Sequence, residues 1–341
     1  MDSRNSSQIA VLASAQTGLL VDDFTYNIFV LIFFVAVMGS ASFIGIIFNA
    51  INIIVFRKQG FKDTVNITLF GLAISDIGGL MSLIWLSICF NPWFTNADLP
   101  FDTEEIQYVT AGWPHTCFTR ITGWITAFVT FERCLCIAMP LKVKTIITPR
   151  RTTFVVVGIY SIVISGVVPA FYSIRLGPKF YQSKNVTKIG LLYIPNGVHI
   201  ENVAVLVNII PQYVSFLVVI VCTIILVRNL TLKSKWRKST SNSAQQNSLS
   251  NRDKKVVSMI ILISSIFMAC FLPSAVNQII MIVSVEYSIY GINRNLFLLS
   301  WSICKSLEAV NSAVNIFVYY NMSSRYREIL DEMLNRNKGK K

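Results

Sequence analysis

Thr130-Phe131-Glu132-Arg133-Cys134-Leu135-Cys136 is the stretch where a long apolar run ends and a basic segment begins. A Glu-Arg pair is costly to remove from water, so a chain that places one at the end of an apolar run usually uses it. The position is typical of the end of a membrane-crossing helix. A charged pair at a membrane face indicates a protein that signals across the bilayer.

The composition of the whole chain is that of a membrane protein. Its 341 residues are 53% hydrophobic and 14% charged, whereas a soluble protein has about 25% charged residues. The net charge of +13 would suit a nucleic-acid-binding protein, but the basic residues lie in short segments between apolar runs. We therefore expect the lipid bilayer as a partner, and no nucleic acid.

Seven apolar runs are long enough for the roughly 20 residues that cross a ~30 Å hydrocarbon core. They cover residues 27–56, 65–90, 106–137, 152–172, 203–227, 256–285 and 296–320. Strands of a membrane barrel would instead show about ten residues of alternating polarity. The sequence thus predicts an all-α membrane protein, a seven-transmembrane helix bundle over residues 27–320 after an N-terminal segment 1–26. We expect the third inner loop, 228–255, to be partly disordered and the tail, 321–341, to carry a short amphipathic eighth helix.

The distribution of basic residues predicts how the bundle is oriented. With the N-terminus outside, the inner segments carry 22 Lys and Arg residues and the outer segments six. Cytoplasmic loops are enriched in Lys and Arg, so we predict a multi-pass plasma-membrane protein with an extracellular N-terminus. The first 26 residues have no basic region followed by a short apolar stretch, so no cleavable signal peptide is expected.

Short motifs in five of the runs resemble those of the rhodopsin-like G-protein-coupled receptors. They are Asn49, Leu72-Ala73-Ile74-Ser75-Asp76, Glu132-Arg133-Cys134, Phe267 with Cys270-Phe271-Leu272-Pro273, and Asn311 with Asn315-Ile316-Phe317-Val318-Tyr319. Each motif alone is common, but all of them in order, each in its own helix, are specific. The resemblance covers the chain from about Phe43 to Arg327. The segments 61–67 and 121–148 look like those of molluscan chemosensory receptors and invertebrate peptide receptors.

The sequence departs from the family pattern at several positions. Cys134 replaces a Tyr, Phe271 a Trp and Ile316 a Pro. Tyr108 stands 25 residues before Arg133, where the family has a cysteine, so the family's bridge from the third helix to the second outer loop cannot form. The seven cysteines lie in or next to the apolar runs, and we expect them to be small apolar fillers. A bridge between Cys89 and Cys117 is the alternative.

The resemblance implies a receptor that binds an extracellular ligand and activates a heterotrimeric G protein. It places a switch at the inner end of the bundle, formed by Glu132, Arg133, Asp253 and Tyr319. Asp253 would hold Arg133 in the resting state, but Glu132 is an equally good partner, and Asp253 could belong to a solvated charge run. The serine-rich stretch from Ser239 to Ser250 would serve an arrestin and a kinase.

Asp76 is a carboxylate in the middle of the second run, where a lone charge is expensive. The family suggests that it binds a sodium ion within a polar cluster formed by Asp76, Thr122, Asn311 and Asn315. The alternative is a water-filled hydrogen-bond network that only packs the helices. We expect no other cofactor.

Five residues of the outer half are candidates for ligand binding: His115, Arg120, Lys305, Glu308 and Phe271. His115 stands where amine receptors carry an Asp, so a simple amine is not expected, although a lone His is more often a packed polar residue. Lys305 and Glu308 are spaced i, i+3 and could neutralise each other. Arg120 needs a partner, either Glu308 or an anionic ligand group. We therefore expect an anionic or strongly accepting ligand, a small peptide or a chemosensory molecule.

The sequence favours neither a transporter nor an enzyme. A seven-helix transporter would usually show an internal repeat and paired broken helices, and neither is found. An enzyme is not expected, because the chain has two histidines and no metal-ligand or nucleophile spacing.

The orientation can be tested through the glycosylation sequons at Asn5, Asn185 and Asn229. We predict that Asn5 and Asn185 carry glycans and Asn229 does not, because only the first two lie on the predicted outer side. Glycosidase-induced mobility shifts of the single Asn→Gln variants would show this. A glycan on Asn229 would reverse the orientation.

Overall fold

A computed structural model describes residues 20–182, 185–239, 251–289 and 291–338. Eight helices make up most of this part of the chain. They are α1 (Asp23–Gln59), α2 (Thr64–Cys89), α3 (Thr103–Ala138), α4 (Pro149–Ser173), α5 (Gly197–Ser239), α6 (Asn251–Val283), α7 (Arg294–Met322) and α8 (Ser324–Lys338). The first seven confirm the predicted seven-helix bundle, and α8 confirms the predicted eighth helix.

Helices α1 to α6 are long and apolar enough to cross a membrane. The 29 residues of α7 measure about 43 Å at 1.5 Å per residue, which also exceeds the ~30 Å hydrocarbon core. Helix α7 is less apolar because it carries Lys305 and Glu308, which it turns inward. Short π-helical segments interrupt α1 at Val30–Met38 and α3 at Tyr108–Gly112.

Local sequence signals set the ends of the helices. Asp63 accepts a hydrogen bond from the Val65 backbone N–H at 3.1 Å and caps the start of α2. Asp102 caps α3 in the same way through the Glu105 N–H at 3.0 Å. Gly60 ends α1 with a φ of 80°, a left-handed conformation that favours glycine.

The bundle closes because α7 packs against both α1 and α6, while α3 contacts α2, α4, α5 and α6. The Asn49 amide joins α1 to α7 by donating to the Ser312 backbone carbonyl at 2.8 Å. Helix α8 is tied to α1 by the buried Tyr326, whose hydroxyl donates to Asn52 Oδ1 at 2.5 Å. Both hydrogen bonds lie between packed helices, so the polar groups that form them need no water as a partner.

The helix ends differ from the expected boundaries in two places. Helix α1 begins at Asp23, within the segment 1–26 that was expected to precede the bundle. Helices α5 and α6 extend into the expected loop 228–255, as far as Ser239 and from Asn251 onward. Outside the membrane, the polar side chains of a helix can hydrogen-bond to water. The apolar pattern therefore ends before the helix does. Residues 240–250, which include most of the serine-rich stretch, and Asn5 lie outside the described residues.

A β-hairpin between α4 and α5 was not predicted. Strand β1 (Ile174–Tyr181) pairs antiparallel with β2 (Val186–Tyr193). Asn185 lies exposed at the turn, with a φ of 51°, a conformation that Asn tolerates better than most residues. The end of the bundle that carries this sheet is called the hairpin end, and the opposite end the Arg133 end.

Candidate functional site

Glu308 of α7 is the centre of a buried polar cluster in the half of the bundle nearest the hairpin. His115 Nε2 lies 2.6 Å from Glu308 Oε2, and Lys305 Nζ lies 2.9 Å from the same oxygen. The Ser274 hydroxyl of α6 donates to Glu308 Oε1 at 2.5 Å. One carboxylate therefore gathers donors from α3, α6 and α7.

Three of the predicted ligand residues, His115, Lys305 and Glu308, thus meet in one place. All three are buried, with exposed fractions of 5%, 8% and 3%. Lys305 and Glu308 form an ion pair on α7 and neutralise each other, as the alternative based on their i, i+3 spacing predicted. Phe271, the fourth, is also buried and borders a small void beside His115 and Glu308.

Arg120 does not join this cluster. Five residues separate it from His115, which corresponds to about 140° around the helix. Its Nε donates to the backbone carbonyl of Asn208 in α5 at 2.9 Å. Within the described residues it makes no direct ion pair with Glu308, the first of the two partners expected for it, which acts on it from beyond ion-pair distance.

Asp76 lies in a second buried cluster nearer the middle of the bundle. Its Oδ1 accepts from Ser312 at 3.0 Å and from Thr122 at 3.2 Å, and its Oδ2 accepts from the Asn315 amide at 3.0 Å. Asn311 was expected in this cluster, but it is not among the described hydrogen-bond partners of Asp76. No cation lies within ion-pair distance of this carboxylate among the described residues.

Three of the four predicted switch residues lie around a cavity of about 860 Å³ at the Arg133 end. Glu132, Arg133 and Tyr319 all contribute to its wall. Arg133 donates to its neighbour Glu132 at 2.5 Å and to the Thr64 hydroxyl of α2 at 3.4 Å. Thr64 also donates to Glu132, so Arg133 is turned toward α2.

The side chain of Asp253 is not described, so the expected contact between Asp253 and Arg133 stays a prediction. The structure shows a different link between α3 and α6, one turn before Arg133. The hydroxyls of Thr130 and Ser264 lie 2.9 Å apart and both residues are fully buried. Sequence reasoning missed Thr64, Thr130 and Ser264, because no single sequence shows which hydroxyl meets which across helices.

The hairpin is held to the bundle by carboxylates. Glu105 at the start of α3 accepts from Lys179 Nζ of β1 at 2.7 Å and from the Leu191 N–H of β2 at 2.6 Å. Glu201 of α5 accepts from Tyr108 of α3 at 2.6 Å and from Tyr193 of β2 at 2.7 Å. None of the seven cysteines forms a disulfide in the structure, so the alternative of a bridge between Cys89 and Cys117 is not seen.

Seven membrane-length helices with charged residues turned inward define a multi-pass membrane protein of the seven-helix class. The chain belongs to the family of serpentine type 7TM GPCR chemoreceptors Srw, whose model matches residues 36–337. The resemblance to G-protein-coupled receptors of the invertebrate chemosensory and peptide types is therefore confirmed.

Two similar proteins are named as peptide receptors, and a third as a galanin-like receptor. The tachykinin-like peptides receptor 86C of Drosophila melanogaster is 26% identical over 308 residues, which are 85% of this chain and 56% of the relative. The neuropeptide receptor 22 of Caenorhabditis elegans is 23% identical over 286 residues, 81% of this chain and 63% of that receptor. A galanin-like G-protein coupled receptor, npr-9, of the same worm is 28% identical over 130 residues, 37% of this chain and 28% of the relative. The chain thus spans about three fifths of the length of the first two.

The contacts of Glu308 predict strong coupling between Lys305 and Glu308. Lys305→Met and Glu308→Gln should each destabilise the protein by about 3–5 kcal/mol, because each leaves a buried charge without its counter-charge. The double variant should cost much less than the sum of the two. Unfolding of the detergent-solubilised protein measures this, with Ser165→Ala as the control, since the described hydrogen bond of the exposed Ser165 goes to the Ile162 carbonyl of its own helix. Additive effects of the two changes would show that the pair is not coupled.

Proposed function

We propose that this chain is a G-protein-coupled receptor of the plasma membrane with an extracellular N-terminus and no catalytic step. An extracellular ligand, a small peptide or a chemosensory molecule, binds at the hairpin end. The Arg133 end faces the cytoplasm and activates a heterotrimeric G protein. The excess of Lys and Arg at that end supports this orientation.

The cavity at the Arg133 end is the observation that carries the proposal. It is bordered by side chains from α1, α2, α3, α6 and α7, including Arg133, Met259 and Tyr319. A volume of about 860 Å³ has the size of a ligand-binding pocket. A peptide segment of a G protein therefore has a site to enter, with Arg133 in its wall.

The contacts around Arg133 support a resting state. Arg133 is turned toward Thr64 and Glu132, and the hydrogen bond between Thr130 and Ser264 holds α6 against α3. Outward movement of α6 breaks that bond and enlarges the cavity. A ligand that binds the open state more tightly by about 1–3 kcal/mol is enough to shift the balance.

The buried cluster around Glu308 is the proposed ligand site. It lies below the hairpin and includes Ser274, which is adjacent to Pro273 within α6. A ligand group that accepts hydrogen bonds competes with Glu308 for His115 and Lys305. Release of Ser274 then frees α6 at the proline, where a helix bends most easily. The names of the peptide-receptor relatives support a peptide as one such ligand.

Two further partners are part of the proposal. The serine-rich stretch from Ser239 to Ser250 serves as the site for a kinase and an arrestin, since it joins α5 to α6 in the chain and offers several hydroxyl groups on the side proposed to be cytoplasmic. A sodium ion fits at Asp76, because a fully buried carboxylate has no described counter-charge and two hydroxyls, of Thr122 and Ser312, touch it. These oxygens would hold the ion and supply the missing positive charge with the hard ligands that such cations prefer.

The switch can be tested without knowing the ligand. In membranes with co-expressed heterotrimeric G proteins, Ser264→Ala should raise basal guanine-nucleotide exchange about fivefold, because loss of one hydrogen bond removes about 1 kcal/mol from the closed state. Arg133→Ala should abolish exchange. The matched control is Ser265→Ala, because among the described residues the Ser265 hydroxyl bonds to the Ile261 carbonyl of its own helix and to no other helix. No exchange with any G protein, together with uptake of a solute, would establish a transporter instead.

The sodium site can be tested by stability. The melting temperature of the purified protein should be higher in sodium chloride than in choline chloride, and Asp76→Asn should remove that difference because the amide lacks the counter-charge. Asp23→Asn, at the hairpin end of α1, is the control and should keep it. An equal effect of sodium on both variants would mean that the ion acts elsewhere.

A further inference from the structure

Arg120 belongs to a stripe on α3 that faces away from the Glu308 cluster. Trp124, Phe128 and Phe131 follow it at helical spacing, so the four side chains share one face. This face is turned toward α4 and α5, where all four residues line a groove of about 560 Å³. The groove runs about 17 Å along α3, from Arg120 to Phe131.

The groove opens to the outside of the bundle. Ile162 of α4 and Val207 of α5 form its edges and are 73% and 53% exposed. In a membrane these side chains meet lipid chains rather than water. A molecule that reaches the groove therefore arrives through the hydrocarbon region.

Arg120 is the one charged side chain among the described residues that line this groove, and Glu308, the acid that acts on it, lies beyond ion-pair distance. The residue is 7% exposed, and its Nε donates to the Asn208 carbonyl. Among the described residues its two terminal NH₂ groups have no hydrogen-bond partner, and Glu308 is engaged by His115, Lys305 and Ser274. A guanidinium inside the hydrocarbon region is expensive unless it is paired.

The other side of Arg120 offers no room for a counter-ion. There it borders a void of about 10 Å³ beside Gln212 and Phe271, which has space for roughly one water molecule. Of the two spaces that Arg120 borders, the groove is the one with room for an anionic group.

We infer that the groove binds a long-chain carboxylic acid, with its carboxylate on Arg120 and its chain along Trp124, Phe128 and Phe131. A carboxylate matches the two free NH₂ groups of a guanidinium in geometry and charge. Arg120 lies 13 residues before Arg133, hence about 20 Å from that membrane face and some 10 Å below the other. A single-chain acid reaches this depth, whereas a phospholipid keeps its phosphate at the interface.

The charge pairing sets the specificity of this site. Lipid chains around the bundle are as apolar as the groove, so an uncharged chain gains little by leaving them. The pairing with Arg120 distinguishes the acid from the surrounding lipid. The inference goes beyond the proposed receptor function and does not depend on G-protein coupling.

The test uses photolabelling of the purified full chain in lipid nanodiscs with a long-chain fatty acid that carries a diazirine. Labelled peptides should map to the groove walls on α4 and α5. Unlabelled fatty acid should compete, and its methyl ester should not. Arg120→Gln should reduce labelling at least about tenfold, which corresponds to one charge-assisted hydrogen-bonded pair.

A second variant covers the case in which Arg120→Gln fails to fold. Ile162→Trp fills the groove from an exposed position and should abolish labelling with Arg120 intact. Val168→Trp, at another exposed position of α4 outside the groove, should leave labelling unchanged. The inference is overturned if the methyl ester competes as well as the acid, if phosphatidylserine alone competes, or if Ile162→Trp labels like the unchanged protein.

Discussion

The bundle depends on satisfying charge where water is absent. Glu308 meets this constraint with three donors, each from a different helix: His115 of α3, Ser274 of α6 and Lys305 of its own helix α7. Such a cluster adds little net stability compared with apolar packing, but it favours one alignment of the helices over others. The carboxylate of Glu308 therefore fixes the positions of α3, α6 and α7 relative to one another at this depth of the bundle.

Helix α3 makes buried polar contacts of this kind at three positions along the bundle. His115 meets α7 through Glu308, Thr122 meets α2 through Asp76, and Thr130 meets α6 through Ser264. Each contact is polar, buried and directed at a different neighbour. A displacement of α3 at one of these three contacts therefore affects the other two, because closely packed and hydrogen-bonded interiors do not deform gradually. This arrangement gives a physical basis for coupling between the two ends.

The sequence was sufficient for the helices, because the length of an apolar run and the ~30 Å core determine which segments cross. It also located Asp76, Glu308 and Arg133, since charges inside apolar runs are rare. It did not reveal their partners. Thr64 lies 69 residues from Arg133, and the Asn208 contact of Arg120 is made by a backbone carbonyl that no side-chain pattern indicates.

The hairpin and the long ends of α5 and α6 were missed for other reasons. Gly177 and Pro178 interrupt the alternation of polar and apolar residues in β1, and this hides the strand. The extensions of α5 and α6 lie beyond the apolar pattern, where helical structure no longer requires apolar residues. A hydrophobic pattern therefore predicts the structure of segments outside the membrane least well.

The way in which the hairpin is fastened has a consequence for redox conditions. Glu105 and Glu201 hold it through hydrogen bonds and one ion pair, and the chain has no cysteine between Cys136 and Cys222, a stretch that includes the whole hairpin. Reducing agents therefore leave this end of the molecule intact, and its assembly needs no oxidising compartment. The protein is suited to synthesis in reducing, cell-free systems, in which membrane proteins fastened by a disulfide at this position lose that link.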